Sequence, residues 1–300
     1  MVKMNLPNLL IIGAAKSATT SLYNILSSHK DIFAPAFKEP HFFNIDDNFS
    51  NGIDWYSQTY FNKKKNQKYI LDGTPTYLYS LKAAERIYKN LGSDVQFIVV
   101  LRNPVDRAYS HYLHTKRDGF EELSFLEALE VEQKRLNHAR KSNDVLSELR
   151  FSYVSQGMYS NMLSAYLKFF SVNNFLILDF DTDIKDNFKK SLEKIANFIN
   201  IDLKNLDGKK HSNKSSVARF SFVRNILISQ SWIRKVMKII FYSAQTRQII
   251  KNKIRHLNEK DFAFKPLSKK LKKELLDKYF ANQEIDLENL IDKKIKWHNH

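Results

Sequence analysis

The sequence predicts an α/β protein built on a doubly wound parallel sheet, with helices on both faces and a helical extension at its C-terminal end. Three observations carry that expectation. Short apolar runs recur at 8–12, 69–71, 95–101 and 175–180, each about the length of one strand. Between them lie stretches of helical periodicity such as 81–91 and 108–115, the rhythm of strands joined by crossover helices. Runs such as FIVVL and FLILDF are apolar at successive positions, as strands covered on both faces are. With 300 residues, 43% of them hydrophobic, and 22 Phe and 14 Tyr to fill a core, the chain suits a single domain over 1–300. An α/β core over 1–200 carries the sheet, and a mainly helical part over 201–300 packs back on it.

Taken in order, the first strand comes from MVKMNLPNLLIIGAAKSA. One early lysine and an apolar run no longer than a strand, leading straight into Gly13, read as a buried strand rather than a signal peptide. The loop GAAKSATTSL follows, then a helix through Leu22, Ile25 and Leu26. A strand, a small-residue loop with a lysine and a helix N-terminus together make an anion cradle. The unpaired N–H groups of the first turn face the ligand, the helix dipole favours negative charge, and Lys16 adds a full positive charge. Ser17, Thr19 and Thr20 can donate hydroxyl hydrogen bonds to that anion, or can merely cap the helix. Triphosphate-binding loops place four residues between their first glycine and a Gly-Lys pair. Here only Ala14 and Ala15 separate Gly13 from Lys16, and Ala18 follows the Lys-Ser pair, so the cradle suits one phosphate better than three. No carboxylate placed to hold magnesium is evident, and no metal is expected.

KEPHFF, residues 38–43, comes next. Pro40 biases Glu39 towards extended backbone, with Glu39 and His41 on one side and Lys38 on the other. A carboxylate beside an imidazole on a rigid segment suits acid–base work. A surface turn is the alternative. The strand VQFIVVL then ends at Arg102, with Pro104 where a helix can begin and Ser110 about two turns in. An arginine at the carboxyl end of a parallel strand faces the crevice where open α/β sheets bind ligands, which makes Arg102 a second anion contact. Arg107 and His111 share a helical spacing, could be surface residues instead, and receive no role. Beyond Pro266, LSKKLKKELLDKYF forms an amphipathic helix.

Forty-eight Lys and Arg against 32 Asp and Glu leave a net charge of +16, a field that attracts phosphates, sulfates, acidic glycans and anionic lipid. The basic residues are scattered and accompany no zinc-finger or RNA-binding signature, so nucleic acid is not expected as a partner. Zero cysteine excludes disulfide scaffolds, thiolate zinc sites and cysteine nucleophiles. Arg224, Arg234, Lys235 and Lys238 interrupt the longest apolar candidate, so no helix spans a membrane. Residues 219–256 mix bulky apolar and basic positions at helical spacing. They read as a helical cap lining an acceptor cleft, in which Trp232, Phe241 and Tyr242 could stack on a sugar, with peripheral membrane contact as the alternative. The expected location is cytoplasmic, with that contact at a membrane's inner face. Oligomeric state is not legible.

GAAKSATTSL, KEPHFF and LRNPVDRAYSHY, in that order and spacing, resemble the sulfotransferases that use 3'-phosphoadenosine 5'-phosphosulfate, particularly the branch of heparan sulfate and bacterial carbohydrate sulfotransferases. DGTPTYLY at 72–79, QGMYSNMLSAYLKFF at 156–170, HSNKSS at 211–216 and the tail from 265 to 297 extend the likeness over nearly the whole chain. The resemblance implies a P-loop type of nucleotide-binding sheet and sulfuryl transfer to a hydroxyl or amine of a carbohydrate-like acceptor, without metal. Lys16 would bind the 5'-phosphate and the bridging oxygen, with Ser17, Ala18, Thr19, Thr20 and Ser21 completing the cradle. Arg102 and Ser110 would hold the 3'-phosphate, Glu39 would be the base, and His41 would assist it. Two departures stand out. Gly73 occupies a position where the heparan branch often carries a lysine that contacts the acceptor. The late Lys-Gly-Arg loop of that branch is absent, leaving Lys214 as the nearest basic candidate for the 3'-phosphate. A phosphotransferase with a degenerate triphosphate loop, and a non-catalytic nucleotide- or glycan-binding protein, are the competing readings.

Overall fold

The computed structural model describes residues 4–203, 216–218, 259–261 and 265–297. Five parallel strands form its sheet: β1 (Leu9–Gly13), β2 (Ile32–Phe33), β3 (Tyr69–Asp72), β4 (Gln96–Leu101) and β5 (Phe175–Asp179), in the spatial order β2-β3-β1-β4-β5. The predicted strands at 8–12, 69–71, 95–101 and 175–180 are β1, β3, β4 and β5. The two-residue β2, too short to leave a periodic signal, escaped the sequence reading. Residues Ser216–Ala218 and Glu259–Asp261 form a separate antiparallel pair, β6 and β7.

The alternation of side chains along the strands explains why both faces are apolar. In β1, Leu10 and Ile12 enter one core while Leu9 and Ile11 enter the other; in β4, Phe97, Val99 and Leu101 face the first and Ile98 and Val100 the second. The second face is covered by α1 (Thr19–Leu26), through Leu22, Ile25 and Leu26, and by α10 (Phe188–Ile199), through Leu192, Ile195 and Ile199. The first face takes α4 (Leu81–Leu91), α5 (Pro104–Arg117) and α9 (Tyr159–Leu167). Shorter helices fill the connections: α2 (Asp46–Phe49), α3 (Gly52–Tyr60), α6 (Phe125–Glu130), α7 (Glu132–Lys141) and α8 (Val145–Phe151).

The expected helix after Pro266 is α11 (Lys269–Phe280), and α12 (Gln283–Ile291) follows it. Their Leu275, Leu276, Phe280 and Leu287 join the first core. Lys272 Nζ lies 2.8 Å from Asp106 Oδ1 on α5, and the Ser160 N–H of α9 donates to Gln283 Oε1 at 3.1 Å. Asn103 donates to the carbonyl of Trp297, whose ring is buried beside Tyr159. The tail is thereby tied to the connection that follows β4. No helix among the described residues is long and apolar enough to cross a membrane. Lys214 and the segment 219–256, with Trp232, Phe241 and Tyr242, lie outside the described residues.

Candidate active site

The strand order decides which loops meet. Because β2, β3, β1 and β4 are neighbours and parallel, the segments leaving their carboxyl ends lie side by side: KEPHFF after β2, DGTPTY after β3, GAAKSATT after β1 and Arg102 after β4. The chain reverses its direction of travel across the sheet at β1, the place where open α/β sheets form a ligand crevice.

The loop after β1 is tightly held. A Cβ at Gly13 would come 2.5 Å from Leu78 Cδ2, so only glycine fits where the loop leaves the strand. The Ala14 N–H donates to the Val100 carbonyl at 2.9 Å. Lys16 and Ala18 then adopt φ of 73° and 60°, left-handed conformations that cost a side-chain-bearing residue about 1–2 kcal/mol each. Ala18 is the N-cap of α1 and no side chain caps the helix. The alternative of ordinary capping by Ser17, Thr19 and Thr20 therefore fails. Ser17 is fully buried, and its Oγ has no hydrogen-bond partner. A buried hydroxyl without a partner costs about 1–3 kcal/mol, and an anion in the loop would remove that cost. Thr19 is buried, Ser21 is half-buried and Thr20 is exposed at the rim.

Burial, followed by repulsion from Arg117, lowers the Lys16 ammonium to about pKa 8, while Asp118 and Glu39 act in the opposite sense. The positive charge thus sits where it is poorly solvated and gains from an arriving anion. Arg102 Nη1 donates to the Lys16 carbonyl at 2.9 Å, and its guanidinium lies 4.6 Å from the Phe180 ring centroid. Arg102 accordingly borders the cradle directly. Ser110 is half-buried further along α5.

Across the crevice, Glu39 keeps 37% of its side chain exposed and contacts His41 Nε2 at 3.6 Å through Oε2. Its other oxygen, Oε1, accepts from Lys38 Nζ at 2.9 Å. Burial pushes the Glu39 carboxyl up, but the His41 hydrogen bond and the Lys38 and His41 charges outweigh it and hold the group at about 2. Lys38 also donates to Thr20 Oγ1 at 3.2 Å, which joins the carboxylate to the cradle helix. The expectation that Lys38 points away from Glu39 is thus overturned. The chain bends at 36–38 rather than running fully extended, and the long lysine stem folds back to reach its neighbour.

The segment is held from beneath by Asp72, fully buried at the end of β3. Its carboxylate accepts from Thr74 Oγ1 at 2.6 Å, Tyr56 OH at 2.5 Å and Tyr77 OH at 3.0 Å. Burial raises its pKa while these hydroxyls oppose the rise. The Tyr77 oxygen also accepts from the Phe42 N–H at 3.0 Å, and Thr76 Oγ1 lies 3.3 Å from His41 Nδ1. At Gly73 a Cβ would come 2.4 Å from Tyr23 Cδ2, so the Tyr23 ring occupies the space a side chain there would need.

A second correction concerns α5. Arg107 and His111 are buried rather than on the surface. The guanidinium donates to the carbonyls of Ser152 and Tyr153 and approaches His111 Nδ1 at 3.5 Å. Burial, together with the charges of Arg107 and Lys16, lowers the His111 pKa well below its ordinary value, so this imidazole is neutral where it packs beside Arg107 and Tyr153. The sequence reading missed the structural parts of Lys38, Asp72, Tyr77 and Arg117. Only Asp72 left a usable signal, a carboxylate ending an apolar strand.

Over 205 residues the chain is 28% identical to the heparan sulfate glucosamine 3-O-sulfotransferase 5 of Mus musculus, covering 65% of this chain and 54% of that protein. It is 31% identical over 186 residues to the 3-O-sulfotransferase 3B1 of Mus musculus, covering 60% of this chain and 43% of that protein. The chain therefore spans about half the length of the curated relatives it matches. A sulfotransferase from Alicyclobacillus acidocaldarius shares the fold, with a TM-score of 0.69 at 24% identity over 99% of this chain and 100% of that one. Residues 6–265 match the sulfotransferase domain family, and the chain belongs to that family of sulfate-transferring enzymes.

Proposed function

We propose that the protein transfers a sulfuryl group from 3'-phosphoadenosine 5'-phosphosulfate to a hydroxyl or amine of a carbohydrate or glycoconjugate acceptor, with Glu39 as the base. The observation that carries this reading is the buried, partnerless Ser17 hydroxyl beside Lys16, in a cradle that Lys38 joins to a carboxylate. Lys16, Ser17, Ala18, Thr19, Thr20 and Ser21 would hold the 5'-phosphate, and Arg102 and Ser110 the 3'-phosphate. Lys214 would be a further contact there. The donor supplies a sulfuryl group already joined to a phosphate, a stable leaving group. Lys16 stabilises charge developing on the leaving oxygen, a contribution of about 3–4 kcal/mol for a well-placed donor. Glu39 takes the acceptor proton, and His41, 3.6 Å from it, steadies the carboxylate. The carbohydrate class of acceptor rests on the similarity to heparan sulfate 3-O-sulfotransferases.

Donor class is tested by thermal stability with 3'-phosphoadenosine 5'-phosphate against ADP and magnesium-ATP. At 100 times its dissociation constant the bisphosphate should add about 2.7 kcal/mol, a rise of about 4 °C for a chain of this length. A rise with magnesium-ATP alone would move the chain to phosphoryl transfer, and no rise with any nucleotide would overturn the donor assignment.

A further inference from the structure

We propose that Lys38 is a second catalytic lysine, which serves the sulfuryl oxygens midway through transfer and releases Glu39 as it does so. The inference rests on the donor and base assigned above. Its geometry is specific to this segment. The Lys38 side chain is only 15% exposed, and its ammonium touches both sides of the crevice, Glu39 Oε1 at 2.9 Å and Thr20 Oγ1 at 3.2 Å. An ammonium has three N–H donors, and these contacts use two of them. A sulfuryl group leaving the cradle for an acceptor at Glu39 must pass between the walls that Lys38 bridges. Its three non-bridging oxygens then come within reach of the Lys38 ammonium, which spans the gap.

In that step the acceptor oxygen or nitrogen forms a bond to sulfur, and the bond from sulfur to the 5'-phosphate oxygen breaks. The electron pair of the broken bond stays on the phosphate, and the acceptor proton passes to Glu39. The products are a sulfated acceptor, adenosine 3',5'-bisphosphate and a protonated Glu39 that returns its proton to water.

The ligand-free ion pair explains how an otherwise weak base becomes useful. The charged groups acting on Glu39 are Lys38 and His41 from its own segment and Lys16 from the loop after β1. With Lys38 bound to it, the carboxylate is too weakly basic to take a proton efficiently. When Lys38 turns towards the sulfuryl oxygens, Glu39 loses its nearest counter-charge and its proton affinity rises. Base strength is thereby linked to occupancy of the cradle by a sulfated, rather than a spent, nucleotide.

Lys38→Met and Lys38→Arg test this with three readouts. The methionine variant should lower kcat roughly 100- to 1,000-fold, the loss expected when one donor to the transition state is removed. Its affinity for 3'-phosphoadenosine 5'-phosphate, which has no sulfuryl group, should stay within about twofold of the parent. Carbon-13 NMR of the ligand-free protein should show the Glu39 carboxyl titrating at higher pH in the methionine variant, and arginine should restore part of the activity. The proposal is overturned if kcat survives Lys38→Met, if bisphosphate affinity falls as far as kcat, or if the Glu39 titration does not move. An unaltered rate in Glu39→Gln would instead overturn the base assignment, and absence of sulfate transfer by the parent protein would overturn the proposed reaction itself.

Discussion

Lys16 shows how a single residue's surroundings set a measurable property. Its pKa of about 8, lowered first by burial and then by Arg117, lies below the ordinary lysine value that the unfolded chain retains. Between those two values the unfolded state binds more protons, so the penalty of burying this charge acts fully below about pH 8 and disappears as pH rises. Anion binding has the opposite preference, because it needs the ammonium. Binding of the bisphosphate should therefore take up protons increasingly above pH 8 and weaken as pH rises further. Calorimetry in two buffers of different ionisation enthalpy measures that uptake, and Lys16→Met should abolish it. Uptake that is unchanged between pH 7 and 9 would remove Lys16 from the anion site. The placement of Lys16, Glu39 and Arg102 around one crevice was legible in the sequence because each follows a strand end closely or adjoins a proline, where local rules set its place. Lys38 was not, since its direction depends on a bend at 36–38 and on partners at Glu39 and Thr20. Arg107 and His111 were misread because helical spacing alone does not say which face of α5 meets α8 and the segment after it.

Among elements, α1 and the segment after β3 carry the site in different ways. α1 presents an uncapped N-terminus and a buried hydroxyl without a partner, local costs that a ligand can remove. The Asp72 cluster is fully satisfied, and its Tyr77 hydroxyl links the carboxylate to the backbone of KEPHFF. Tyr77→Phe should cost about 1–3 kcal/mol of stability, because it leaves a buried N–H and a carboxylate oxygen short of a partner. It should also lower the transfer rate more than bisphosphate affinity, since the displaced segment bears Glu39 and not the cradle. Denaturant unfolding and nucleotide titration together check both halves, and an equal loss of rate and affinity would contradict the division. This cluster was not legible because it joins residues from α3, β3 and the turn after it, and no periodicity relates Tyr56 to Asp72.

At the scale of the whole molecule, the parallel order β2-β3-β1-β4 is what turns separated motifs into one crevice. The apolar runs were sufficient to expect a doubly wound sheet, and the carboxyl-end rule pointed to the loops that the strand order brings together. The pairing of the tail with the connection after β4 depended on single contacts, such as Asn103 to the Trp297 carbonyl, which leave no pattern in composition. The net charge of +16 suits the anionic donor and product proposed above.

The most direct measurement is transfer of radiolabelled sulfate from 3'-phosphoadenosine 5'-phosphosulfate to a panel of glycans by the parent protein and by Glu39→Gln, with bisphosphate affinity measured on both. Label should enter a glycan with the parent and fall roughly 100-fold or more in the variant, as removal of a positioned base produces, while nucleotide affinity stays equal. Label transferred equally well by Glu39→Gln, or no label transferred by a parent protein that binds the bisphosphate tightly, would contradict the proposed function.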